Sequence, residues 1–299
     1  MSFRPENEAR GAPTGGDRLP EVVRRGDGGP PPLSRYPARG LVVLVVGILV
    51  VALVAGAVML SRWYGDQAEG TSVFEDSVAA GSEPTVRLTN ARGQVRVEGG
   101  EGLEAVEITA KRYARGADPA AAAENAAGVD VNTSRDASTV EISSDPGRGA
   151  GVDYALRVPV GARVEVESAA GEVEVRGLAG DVSAVAEAGD VAVRDVRGSV
   201  TVEAPQGDVT VEAMGTETGK ATISTGSGDV SLGNLAVAIL DARVEAGDVE
   251  LTGRFSGGGQ VYVETGSITV RLPPEDAREL ELEARVGEVV REDAPEGAP

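Results

Sequence analysis

Six acidic residues each stand directly after a glycine at near-regular intervals: Glu172, Asp190, Asp208, Asp229, Asp248 and Glu288. Carboxylates brought together can ligate a hard cation such as calcium, or divide a proton between them for acid/base catalysis. The rest of the composition narrows the chemistry. The 299 residues include no Cys and no His, which removes thiolate or imidazole zinc sites, cysteine nucleophiles and the commonest general base. The calcium-binding nonapeptide roll requires Gly-Gly-x-Gly-x-Asp, and no phrase here supplies the double glycine at that spacing. The expectation is a ladder of carboxylates that touches cations weakly and under salt screening, without a dedicated metal or cofactor.

Other reactive patterns fail on their spacing. Gly215-Thr216-Glu217-Thr218-Gly219-Lys220 is one residue short of a phosphate-binding loop and runs into Ala221 instead of Ser or Thr. There is no Gly-x-Ser-x-Gly elbow, and without His a conventional triad cannot be assembled. No catalytic residue is assigned. Paired carboxylates among the 48 acids leave an extracytoplasmic carbohydrate-active enzyme as the alternative to a non-enzymatic binding module.

The elements that position these acids are repeats. Gly171, Gly180, Gly189, Gly198 and Gly207 recur at a constant spacing, each followed by a polar residue and a short alternating run such as Glu172-Val173-Glu174-Val175 or Asp208-Val209-Thr210-Val211. Each phrase reads as a turn and a strand, and a fixed short period marks a fold whose units bury their apolar faces only by stacking. Two phrases, as from Gly171 to Ala188 or from Gly207 to Ser227, close one coil of two strands and two turns, about 18–21 residues long. The fold class is therefore mainly β, a single-stranded parallel solenoid. In it Val173, Val191, Val209, Val230, Val249, Ile268 and Val289 stack in one sheet, and Val182, Val200, Ala221, Leu240 and Val261 in the other. The six acids, with Ser267, then line one edge. The opposite edge carries Arg163, Asp181, Ser199, Lys220, Ile239 and Gln260.

Ahead of the repeats, Thr85 to Leu88, Gln94 to Glu98 and Ala105 to Tyr113 predict three strands, and Asp118 to Ala127 predicts an inserted helix with Asp118 as N-cap and Pro119 at the first helical position. Val129 to Val131, Val140 to Ser143 and Tyr154 to Val158 lead into the repeats. Leu41 to Leu60 carries no charge and is long enough, at ~1.5 Å per residue, to span a ~30 Å hydrocarbon core. Arg24, Arg25, Arg35 and Arg39 precede it, so the positive-inside bias places the N-terminus in the cytoplasm and the C-terminal portion outside. Ala55-Gly56-Ala57 leaves a cleaved signal peptide as the alternative to an uncleaved anchor. Ala52 and Gly56 allow two spans to pack closely, compatible with a homo-oligomer. The expected organisation is a disordered tail over 1–40, the span over 41–60, a stalk over 61–83, the β-helical domain over 84–291 and a disordered tail over 292–299.

The net charge is −20, unevenly spread. Eight arginines stand against five acids from Met1 to Gly65, so the remainder of the chain holds 20 of the 28 basic and 43 of the 48 acidic side chains. That excess repels phosphate backbones and argues against nucleic acid as a partner. Aromatic residues make up 3%, so ring platforms for sugars are scarce, and Tyr262 is the only ring inside a repeat phrase.

Tyr154 to Val175, YALRVPVGARVEVESAAGEVEV, followed by recurring Gly-Asp-Val phrases, resembles the bacterial putative-adhesin or toast-rack-like domains over roughly residues 84–291. The resemblance implies an elongated β-helix outside the membrane with an adhesion or envelope-stress role. It implies an envelope protein or polysaccharide as partner and carries no catalytic residues with it.

Overall fold

The computed structural model describes residues 68–215, 219–273 and 280–293, all within the unit Met59–Pro299. The expected span Leu41 to Leu60, the tail over 1–40 and residues 294–299 lie outside the described residues. Among the described residues no helix is long and apolar enough to cross a membrane.

The elements in chain order begin with β1 (Ala68–Ala79), β2 (Thr85–Asn90), β3 (Val95–Gly100), β4 (Ala105–Gly116), α1 (Pro119–Ala127), β5 (Val131–Asp136), β6 (Thr139–Ser144) and β7 (Ala150–Pro159). The winding follows as β8 (Arg163–Ser168), β9 (Val173–Leu178), β10 (Val182–Ala186), β11 (Val191–Val196), β12 (Val200–Gln206), β13 (Val209–Glu212) and β14 (Lys220–Ser227). It ends with β15 (Val230–Val237), β16 (Ile239–Ala246), β17 (Val249–Phe255), β18 (Gly259–Thr265), β19 (Ile268–Leu272), β20 (Leu280–Val286) and β21 (Val289–Asp293). From β8 onward, even-numbered strands form one sheet and odd-numbered strands the other, all parallel to their neighbours.

The first predicted column holds throughout: Val173, Val191, Val209, Val230, Val249, Ile268 and Val289 are successive register partners. The first six are at most 1% exposed, whereas Val289, in the last described coil, is 39% exposed. Each buried valine contributes roughly 1.5–3 kcal/mol, which is how a core with few rings is held together. The second column runs Val182, Val200, Ala221, Leu240 as expected, but Leu240 then pairs with Gly259, and Val261 lies opposite Ala242. The correction, a slip of two positions, arises because β18 begins at Gly259 itself, whose missing Cβ admits the Leu240 carbonyl 2.0 Å from where a side chain would start.

Spatial and chain order differ at the N-terminal end. The pair β2–β3 lies between β6–β7 on one side and β8–β9 on the other, so Thr85 faces both Thr139 and Arg163. Asn90 pins this insertion. It is 1% exposed, its amide nitrogen donates to the carbonyls of Gly93 and Val152 at 3.1 Å each, and its oxygen accepts from Ser144 Oγ at 3.3 Å.

The sheets also gain an antiparallel margin, where the sequence implied parallel strands throughout. β4 pairs antiparallel with β7, β1 with β4, and β5 with β6. The stalk expected over 61–83 is corrected in its described part, because Ala68–Ala79 is a full-length partner of β4, while residues 61–67 lie outside the described residues. Its polar composition reads as stalk because only Gly70 is buried along it. α1 lies across this margin on Gly70 and Gly116, where a Cβ would fall 2.2 and 2.3 Å from backbone atoms of Ala122, so two glycines and an alanine helix make the close approach. Asp118 caps it as predicted, accepting from Ala121 N at 2.8 Å. Arg112 holds its other end by donating to the Ala127 and Val129 carbonyls (3.1 and 3.2 Å) and to Ser72 Oγ (2.9 Å).

On the exposed face around Glu174, acids and arginines interleave. Glu174, with its side chain 15% exposed, sits between Arg96 (2.7 Å) and Arg194 (3.4 Å), and Arg194 also reaches Glu212 at 3.0 Å. The hydrogen bond from Arg96, together with the charges of Arg96, Arg176 and Arg194, holds the Glu174 carboxyl below its ordinary 4.5 despite the opposing effect of burial. A carboxyl lowered in the folded state stabilises fully above its unfolded pKa and ceases to do so as the pH falls through the folded value. The stability advantage of the native chain over Glu174→Gln is therefore expected to be largest at neutral pH and to shrink toward zero below about pH 4.5, read by urea unfolding across pH.

Candidate functional site: the acidic edge and its groove

The turns from even to odd strands stack glycine on glycine. Gly171, Gly189, Gly207, Gly228, Gly247, Gly266 and Gly287 all have φ between +127° and +149°. The residue after each is the expected ladder, and the register places Glu172, Asp190, Asp208, Asp229, Asp248, Ser267 and Glu288 along one edge. Their carbonyls complete the turns, accepting from the residue that follows the ladder position in the preceding coil, as when Val191 N donates to Asp208 O at 2.9 Å.

The carboxylates bond from coil to coil. Asp190 Oδ1 accepts from Asp208 N (2.9 Å), Asp208 Oδ1 from Asp229 N (2.8 Å), Asp229 Oδ1 from Asp248 N (2.9 Å) and Asp248 Oδ1 from Ser267 N (2.7 Å). Two charges one strand spacing, ~4.8 Å, apart repel by about 1 kcal/mol in water, whereas a hydrogen bond to a charged acceptor stabilises by about 1.5–3 kcal/mol, so the bond outweighs the repulsion. Sequence reasoning missed two members. Asp153 Oδ1 accepts from Gln94 N (3.0 Å), and Gln94 Nε2 donates to Glu172 Oε2 (2.8 Å), carrying the ladder into the inserted coil. A Gly-x phrase at Gly93-Gln94 was the available signal. Asp208→Asn keeps the acceptor and removes one repelling charge, so it is expected to change stability by no more than about 0.5 kcal/mol, whereas Asp208→Ala should cost about 1 kcal/mol in chemical denaturation.

Beside the ladder is an open groove of about 370 Å³ lined by Asp208, Asp229, Asp248, Glu250, Ser267 and Arg271, among others. Arg271 is held between Glu250 and Glu292. Among the described residues no three acidic side chains converge at a spacing that could hold a metal ion. The opposite edge is shorter and mixed: Arg163 pairs with Asp181 (2.9 Å), Asp181 Oδ1 accepts from Ser199 N (2.9 Å), and Lys220 reaches Asp241 (2.6 Å). Gln260 does not follow Ile239 there. It lies opposite Asp241, one consequence of the same shift at Gly259.

Two sheets of parallel strands with glycine-headed turns run the length of the repeats, and a profile of the Toastrack DUF4097 family matches residues 85–293. The chain belongs to the Toastrack DUF4097 family. The match takes in every toastrack coil from β2 to β21 and begins just after β1. Among solved structures this toastrack domain is similar to a putative adhesin from Bacteroides fragilis at 12% identity, covering 74% of this chain and 97% of that one with a TM-score of 0.49. It is similar to a putative adhesin from Parabacteroides distasonis at 16% identity, with the same two coverages and a TM-score of 0.38. A putative cell adhesion protein from Clostridium sporogenes is 10% identical, with 76% and 99% covered and a TM-score of 0.27. No curated protein matches the chain.

Proposed function

We propose that this toastrack chain is a non-enzymatic contact module, anchored by Leu41 to Leu60 and displayed outside the cell membrane, with an adhesin-like or envelope-stress role. The observation that carries this reading is the use of its carboxylates. The ladder acids, which could form a catalytic pair, instead hold one coil to the next, and Glu174 and Glu212 alternate with arginines on a sheet face. Family membership supports it too, because the resemblance borne by Tyr154 to Val175 and the Gly-Asp-Val phrases implies an adhesion or envelope-stress role. The charge asymmetry about the uncharged stretch supports an N-terminus inside and a domain outside.

The test is made on intact cells producing the full chain. Added protease is expected to remove the repeats and leave the arginine-rich N-terminal segment protected, and cells lacking the chain should bind less to the surfaces or envelope material that they normally contact. Digestion of the N-terminal segment instead would reverse the orientation. Turnover of envelope polysaccharides by the purified chain would replace the contact module with the enzyme.

A further inference from the structure

The antiparallel margin holds a second concavity, about 280 Å³, bordered by Glu69, Arg92, Tyr113, Arg115 and Gly149. Tyr113 and Arg115 lie two apart on β4 and so share a face, and Glu69 of β1 is the register partner of Arg115. Opposite Tyr113 stands Gly151, where a Cβ would fall 2.3 Å from the phenolic oxygen and 2.4 Å from Cζ. The missing side chain therefore lets the ring lie down across β7. Arg92 is fixed at the rim by donating to the Ala150 carbonyl at 3.2 Å. Burial is the main cause that raises the Tyr113 phenol pKa, with Asp153 and Glu69 adding to it and Arg92 opposing it.

Arg87, Arg96, Arg176 and Arg194 on the sheet faces are matched with glutamates, whereas Arg92 and Arg115, like Arg148, Arg197, Arg243 and Arg254, make no ion pair among the described residues. These two arginines border one hollow of a strongly acidic chain. Beside them are an aromatic ring and the Glu69 carboxylate, which accepts but cannot donate.

The geometry points to a binding site for an acidic sugar unit, a hydroxylated ring bearing one carboxylate or phosphate. Arg92 and Arg115 take the anion, Tyr113 packs against the ring's apolar face, and Glu69 accepts from a ring hydroxyl. The inference rests on the contact-module reading and names the ligand class of that module. Sequence composition argued against sugar platforms, and the structure supplies one because Gly151 reaches Tyr113 from β7, on the far side of the inserted helix in the chain.

The test titrates three probes into the purified full chain kept in detergent: an oligogalacturonate, a glycerol-phosphate oligomer and a neutral dextran oligosaccharide. At least one acidic probe is expected to bind, dextran is expected not to, and added salt should weaken the complex. Binding of the first or the second distinguishes a carboxylate from a phosphate source. Arg115→Gln, which removes a side chain without an ion pair among the described residues, should weaken binding at least tenfold with an unchanged melting temperature, and Tyr113→Leu should weaken it as much. Failure of both acidic probes, equal binding of dextran, or undiminished binding by Arg115→Gln would overturn the site. Cells carrying Arg115→Gln separate the two proposals. Probe binding absent in the wild type while cell contact persists removes the pocket and leaves the module, whereas probe binding present without any cell contact keeps the pocket and removes the module.

Discussion

Replacing Gly207 by alanine is expected to lower the stability of the domain by about 4 kcal/mol, near the top of the range for single substitutions. Two costs add. The residue has φ +143°, which an L side chain rarely adopts, and its new Cβ would lie 2.1 Å from the Gly189 carbonyl oxygen and 2.6 Å from its carbon. The obstructing atoms are backbone, and they belong to the turn of the neighbouring coil. Relief requires the coils to separate, which breaks the carboxylate bonds from Asp190 to Asp208 N and from Asp208 to Asp229 N. Gly147→Ala is the control, since a Cβ there meets nothing within 4 Å and should change stability by no more than a few tenths of a kcal/mol. Equal unfolding midpoints for the two variants in urea would refute the stacked-turn account.

Asn90→Leu is expected to cost about 3 kcal/mol although the side chains are similar in size. The leucine fills the space but leaves the Gly93 and Val152 carbonyls without a donor inside the coil, and buried acceptors stripped of their partner cost about 1–3 kcal/mol each. The loss should be local at first. Hydrogen exchange is expected to speed up in β2, β3 and β7 while the later coils keep their protection. Uniform acceleration along all coils would show that the inserted pair is not a distinct cooperative unit.

The repeats were legible in the sequence because everything that defines them is local. A glycine at positive φ, the acid after it and two inward valines recur within a short stretch, and the column from Val173 to Val289 follows from counting. The slip at Val261 came from applying the count where Gly257-Gly258-Gly259 offers three consecutive glycines in place of one. The ladder's location was legible for the same reason, but its bonding was not, since Asp208 Oδ1 meeting Asp229 N depends on the height of one coil over another. Long-range features left no local mark. β1 looks like a polar stalk because one strand face meets solvent, and the insertion of β2–β3 depends on partners that come much later in the chain, Thr139–Ser144 and Arg163–Ser168 for β2. The Tyr113 hollow was hidden in the same manner, its shape being decided by a glycine on another strand.

That inserted pair has a consequence for the making of the protein. A ribosome delivers β2 and β3 ahead of both neighbours, so when Thr85–Gly100 emerges it has neither Thr139–Pro159 nor Arg163–Leu178 to lie against. That coil must wait, open at both sheet edges until synthesis has passed Pro159 and at one edge until it has passed Leu178, because loop closure has to precede the contacts that compensate it. Winding from the N-terminus in order of synthesis is thereby blocked, whereas each coil after Arg163–Leu178 needs only the one before it. The order of synthesis and the order of assembly are separated by the topology itself.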